Sequence, residues 1–152
     1  SNSKAFTSAI IGMLVQEGKL KWNDRVKDYL PYFSLFGDPW ISSQVTVRDL
    51  LSHRVGLGTF SGDVIWYKSQ ATPEHFIKMA GQLPQAYDFR AGYGYSNLMY
   101  ITAGELIRVV SGKTWAEQVQ ELIFAPLGMD RTTTTIADLG KKGNFTTPHG
   151  RE

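Results

Sequence analysis

Several segments of the chain carry apolar residues at three- and four-residue intervals, and each is bounded by recognisable helix start or stop signals. Phe6, Ile10, Met13 and Leu14 share one helical face after a small polar start. Gly18 stands where a left-handed cap ends such a segment, so the spacing predicts a helix over about residues 2–17. Thr46-Val47-Arg48-Asp49 has the form of a capping box in which Asp replaces the usual Glu; Leu50 and Leu51 follow, and a short helix should run to about His53. Thr72 before Pro73 is a cap followed by proline at the first helical position, with Phe76, Ile77 and Ala80 forming an apolar face up to about Gln82. Either Ser96 or Asn97 can cap the next segment, where Met99, Ala103, Leu106, Ile107 and Val110 recur until Ser111-Gly112. Thr114-Trp115-Ala116-Glu117 is a second capping box and opens a helix through Val119, Leu122 and Ile123 that Pro126 and Gly128 close. Residues 131–152 lack periodicity and read as loop or extended chain.

These elements predict a mainly α chain. Helices 1–17, 97–110 and 115–124 should pack through Phe6, Ile10, Leu14, Leu106, Ile107, Val110, Val119 and Leu122. A chain of 152 residues, 42% of them hydrophobic, can bury ~70% of its unfolded surface in one core, which argues against two full domains. Residues 1–152 therefore form one domain. With nothing before the first helix and no closing element after residue 131, that domain reads as partial, a fragment of a longer protein.

Composition removes several function classes. Sixteen Lys+Arg against 14 Asp+Glu give a net charge of +2, and the basic residues are scattered, so nucleic acid is not an expected partner. No apolar run approaches the ~20 residues of a membrane span. Cysteine is absent, and His53, His75 and His149 are too far apart for a metal motif, so no metal or other cofactor is expected. Gly112-Lys113-Thr114 is not a phosphate loop, because Ile107 occupies the place of the loop's first glycine. Asn144-Phe145-Thr146 matches a glycosylation sequon by pattern alone.

Two short patterns carry candidate chemistry. Ser1-Asn2-Ser3-Lys4 is S-x-x-K, which places Ser1 and Lys4 one turn apart on a helix face. A serine hydroxyl needs a base to become a nucleophile; a partly desolvated lysine at a helix N-terminus can serve, and backbone N–H groups there can receive an oxyanion. Tyr95-Ser96-Asn97 is Y-x-N, preceded by the glycine-punctuated Arg90-Ala91-Gly92-Tyr93-Gly94. In an extended loop, Tyr95 and Asn97 point the same way, so the phenol can move a proton while the amide bonds the lysine and a substrate carbonyl. Each pattern alone has a plain structural reading: S-x-x-K arises by chance in about one of every two such chains, Tyr95 fits a half-buried aromatic, and Asn97 fits a helix cap.

The order of motifs changes the weighing. After S-x-x-K come Glu17-Gly18-Lys19-Leu20, Asp24 to Leu30-Pro31, Val45 to His53 with Gly56-Leu57, Phe89-Arg90-Ala91-Gly92, Tyr95-Ser96-Asn97 and Pro126-Leu127-Gly128-Met129. This succession resembles the serine β-lactamase and penicillin-binding-protein-like family, in the branch with class C β-lactamases, D-aminopeptidases and esterases. The resemblance implies the helical region of an α/β fold whose antiparallel sheet is largely missing here. It implies an acyl-enzyme serine hydrolase acting on a β-lactam, a D-amino-acid peptide or an ester, with Ser1 as nucleophile, Lys4 as base, Tyr95 as proton carrier and Asn97 positioning substrate. It gives His53 a loop-fixing role rather than a catalytic one, and suggests an exported, periplasmic or envelope location, which cytoplasmic esterases of the same family leave open. The family's third motif, Lys-Thr-Gly or His-x-Gly on a strand, has no match: Lys113-Thr114 precedes Trp115 and opens a helix, and His149-Gly150 lacks the intervening residue. The competing expectation is a binding module for peptides or cell-wall fragments that keeps the scaffold without the chemistry. The isolated chain is expected to be nearly inactive, and to self-associate through Phe6, Met13 or their neighbours left facing water where a sheet would pack.

Overall fold

A computed structural model describes residues 1–147, 149 and 150; Pro148, Arg151 and Glu152 lie outside the described residues. The elements in chain order are α1 (Ser3–Gln16), α2 (Val26–Tyr29), α3 (Pro39–Gln44), α4 (Val47–Leu51), α5 (Asp63–Trp66), α6 (Pro73–Ala80), α7 (Asn97–Ser111), α8 (Trp115–Val119) and α9 (Leu139–Lys142). A π-helical turn, Gln120–Phe124, continues α8, and a 3-10 turn, Ile136–Asp138, leads into α9. Among the described residues the β-structure is a single bridge between Arg25 and Thr46.

Side-chain caps start most of these helices. Thr46 and Asp49 exchange the two bonds of a capping box at α4, as Thr114 and Glu117 do at α8, satisfying N–H groups that have no partner inside the helix. Ser96, and not Asn97, caps α7 by accepting the Met99 N–H, which leaves the Asn97 side chain free for other partners. Gly112 at φ +75° ends that helix. Residues 115–124 form the expected helix with a local widening at 120–124, where the Ala125 N–H reaches back five residues to Gln120. The wider turn lets the consecutive Ile123 and Phe124 both bury.

Helix α7 is the central element, in contact with α1, α2, α4, α5, α6 and α8. It buries Leu98, Met99, Ala103, Leu106 and Ile107 against Ile10, Leu14 and Val119, each of these side chains but Ala103 contributing about 1.5–3 kcal/mol by removal from water. Val110 and Leu122 are partly buried against the same core.

Two expectations are corrected. Residues 131–152 are not wholly extended or loop, because Asp138 accepts the Thr135 hydroxyl and pairs with Lys141, nucleating the turns at 136–142. Phe6 and Met13 are partly buried against the core rather than left facing water, Phe6 with its ring edge-on to Phe124 at 5.8 Å. The exposed large apolar side chains include Phe60, Val64, Tyr67, Leu127 and Ile136 instead.

Candidate active site

The N-terminal ends of α1 and α7 converge on one cleft. Lys4 Nζ lies 3.3 Å from Ser1 Oγ, the one-turn spacing realised as a hydrogen bond. From α7, Asn97 Oδ1 accepts from Lys4 Nζ at 2.6 Å. Tyr95, immediately before the α7 cap, donates its hydroxyl to Ser1 Oγ at 2.5 Å. Ser1, Lys4, Tyr95 and Asn97 thus come together across sequence separations of 93 and 94 residues. Ser3 makes none of these contacts; its carbonyl accepts the Thr7 hydroxyl. The Lys4 amine also lies 4.6 Å from the centre of the Tyr95 ring and 5.3 Å from that of Tyr100. Hydrogen bonding by Lys4, and secondarily by Ser1, holds the Tyr95 phenol below its ordinary pKa.

The loop bearing Tyr95 is held from below. His53, 8% exposed and at φ +57°, accepts the Ser96 N–H on Nδ1 at 3.0 Å, so the neutral ring carries its proton on Nε2. Its carbonyl accepts the Gly94 N–H at 2.9 Å and the Tyr87 hydroxyl at 3.0 Å. Its ring lies 4.7 Å from Tyr95 and 5.3 Å from Tyr100. Burial, and then the charge on Lys4, lower the His53 pKa. Gly94 passes so close to Leu57 that a Cβ would fall 1.7 Å from its carbonyl oxygen, which excludes any side chain there.

A second support is Asp49, whose carboxylate is fully buried. It accepts from the Thr46 N–H and hydroxyl, from Arg54 Nε at 2.7 Å and from Arg90 Nη2 at 2.7 Å. Burial alone would raise its pKa; the bonds from Arg90, Thr46 and Arg54 prevail and bring it down to about 2. Asp49 thereby ties the chain just after His53 to the segment that leads into Tyr95.

The cleft holds about 620 Å³, and its walls beyond Ser1, Lys4 and Asn97 include Trp66, Pro73, Tyr100, Ile101 and Trp115. Its far end carries Glu105, paired with Arg108 at 2.7 Å and accepting the Tyr32 hydroxyl at 3.2 Å. No group of acidic or histidine side chains among the described residues is placed to hold a metal ion. Sequence reasoning missed Asp63, which accepts from Asn97 Nδ2 at 2.9 Å, and the aromatic walls Trp66, Tyr100 and Trp115. Asp63 sits in a four-residue helix with no periodicity to announce it.

Fold and cleft together are those of a β-lactamase-like protein. The family described as Beta-lactamase matches residues 1–152, and the chain belongs to it. It is 32% identical over 151 residues to unguisins hydrolase ungD' of Aspergillus campestris, covering 94% of this chain and 28% of that protein. Among solved structures it resembles a D-stereospecific amidohydrolase from Streptomyces sp., with TM-score 0.73 and 26% identity over 86% of this chain and 42% of that one. It also resembles the D-amino acid amidase of Ochrobactrum anthropi SV3, with TM-score 0.69 and 28% identity over 84% of this chain and 34% of that one. The chain spans 25–35% of the length of the first curated relatives it matches.

Proposed function

We propose that the protein is a serine amidohydrolase that works through an acyl-enzyme at Ser1. The observation that carries this reading is the contact set at Ser1 Oγ, with Lys4 Nζ at 3.3 Å and Tyr95 Oη at 2.5 Å. In the proposed reaction the Ser1 hydroxyl gives its proton to Lys4 as Oγ bonds to the substrate carbonyl carbon. Collapse of the tetrahedral intermediate breaks the carbon–nitrogen bond, and Tyr95 delivers the proton that the departing amine requires. Water then cleaves the Ser1 ester, with the proton path reversed. Asn97 holds Lys4 in line and has a second N–H available for the substrate carbonyl. Binding without turnover would not require a lysine and a phenol both within reach of one serine oxygen.

Among a β-lactam, a D-amino-acid peptide and an ester, the D-amino-acid amide or peptide is the substrate class we favour. Its support is the pair of structural relatives, one named a D-stereospecific amidohydrolase and the other a D-amino acid amidase, and the apolar cleft wall, suited to a side chain. The 152 residues alone should turn over slowly, since Thr114 is committed to capping α8 and no third motif completes the oxyanion side. Loss of one oxyanion donor costs ~100- to 1,000-fold in rate. The test is kinetic: full-length protein assayed against D- and L-phenylalanine amide, nitrocefin and p-nitrophenyl acetate. The D-amide should be hydrolysed at least ~10-fold faster than the L-amide, about the discrimination that one pocket contact supplies. Equal rates on the two enantiomers would refute the substrate assignment.

A further inference from the structure

We infer that Asp63 is a positioning residue for acylation, fixing the amide of Asn97 so that its oxygen faces Lys4. The inference rests on the hydrolase reading above. Asp63 begins α5, and the chain reaches it through Gly62 at φ +80°. A Cβ at Gly62 would lie 2.5 Å from Leu98 Cδ1, so glycine lets α5 press onto the first turn of α7, next to Asn97.

The carboxylate divides its two oxygens. Oδ2 accepts from Asn97 Nδ2 at 2.9 Å, and Oδ1 accepts from Trp66 Nε1 at 3.0 Å. On the other side, Asn97 Oδ1 accepts from Lys4 Nζ at 2.6 Å, and Lys4 Nζ reaches Ser1 Oγ at 3.3 Å. An asparagine amide can turn over at almost no cost in volume, exchanging its donor and acceptor ends. Between a carboxylate that only accepts and an amine that donates, one orientation makes two hydrogen bonds, while the other sets the amide oxygen against the carboxylate. Asp63 therefore selects the orientation in which Lys4 finds an acceptor and is held toward the serine. Trp66 anchors the carboxylate in turn, so the order runs Trp66, Asp63, Asn97, Lys4, Ser1. Asp63 touches no reacting atom in this scheme and acts through Asn97.

The isosteric substitution Asp63→Asn offers one oxygen where two are needed. If that oxygen stays with the Trp66 N–H, the new amide presents N–H groups to Asn97, which then turns its own N–H groups toward Lys4. Misplacing a catalytic group by about an ångström can cost ~100-fold, so a 10- to 100-fold fall in the acylation rate constant is expected, read as the burst of p-nitrophenol from p-nitrophenyl acetate with the full-length protein. Two further readouts separate positioning from a structural role. In an Asn97→Ala background, Asp63→Asn should cost less than ~2-fold more, because its effect passes through the missing amide. Trp66→Phe removes the competing N–H, so the Asp63→Asn/Trp66→Phe double variant should recover to within ~3-fold of Trp66→Phe alone. Should Asp63→Asn fail to fold, Asp63→Ser is read in the same Asn97→Ala cycle. An Asp63 variant that acylates like wild type overturns the inference, as does a loss that multiplies in full with that of Asn97→Ala. A wild-type protein with no burst overturns the hydrolase reading instead.

Discussion

Replacing Asp49 with Asn keeps the shape of the side chain but removes the charge that two arginines share. Arg54 and Arg90 each keep 38% of their side-chain surface exposed, so they recover some hydration when the carboxylate is lost, while Asp49 itself is wholly buried. Breaking a buried ion pair from one side costs about 3–5 kcal/mol, and the exposed arginines place this case near 3 kcal/mol. The acid dependence gives a second estimate. The folded carboxyl titrates at about 2 against 3.8 for the free group, so on acidification the unfolded chain takes up the proton first. The stabilisation is complete above that higher value and fades as pH falls toward the lower one; the span is worth about 2 kcal/mol. Urea unfolding of wild type and Asp49→Asn, followed by tryptophan fluorescence at pH 7, 5 and 3, measures both quantities. The gap between the proteins should be near 3 kcal/mol at pH 7, equal at pH 5, and smaller at pH 3. A gap that stays constant down to pH 3 would refute the role given to the Asp49 charge.

Other consequences follow from the loop that carries Tyr95. His53→Ala leaves the buried Ser96 N–H without its acceptor and should cost ~1–3 kcal/mol in the same unfolding assay, lowering stability more than it lowers kcat. Because the His53 pKa is depressed on folding, its contribution is present above about pH 6.5 and declines as pH falls below it; wild-type stability should decline more over that range than that of His53→Ala. Tyr95→Phe removes only the hydroxyl that meets Ser1 and should lower kcat ~100- to 10,000-fold with little change in Tm, measured by amide hydrolysis and thermal melting. Gly94→Ala must move the Tyr95 loop off the Leu57 carbonyl, so it should impair both activity and folding, read by the same two assays.

The long helices were legible because each signals itself more than once. In α7 the apolar spacing, the polar cap and Ser111-Gly112 all agree, and the structure bears out the element to within a residue. Helix α3 carried a comparable start signal, Asp38-Pro39, with Asp38 accepting the Ile41 N–H; at six residues it shows too little periodicity to draw the eye. Helices α2 and α5, four residues each, are set by tertiary packing and leave no local trace. The four polar residues at the cleft were found through two short motifs and their order along the chain. Their meeting depends on α1 lying beside α7, which a local pattern cannot encode. The supporting shell is less legible: the sequence marks Asp49 only as a helix cap, while its ties to Arg54 and Arg90 are contacts across the fold. Asp63 falls in no motif. Phe6 and Met13 are less exposed than expected because both pack partly on the core, Phe6 edge-on to Phe124 in the π-helical turn.

The central claim is that Ser1 is the nucleophile, and mass spectrometry of a covalent adduct tests it most directly. The full-length protein would be incubated with a fluorophosphonate serine probe, digested and mapped. The expected result is a single adduct on the peptide bearing Ser1, absent in Ser1→Ala and formed far more slowly in Lys4→Ala. An adduct on another serine, or undiminished amide hydrolysis by Ser1→Ala, would contradict it.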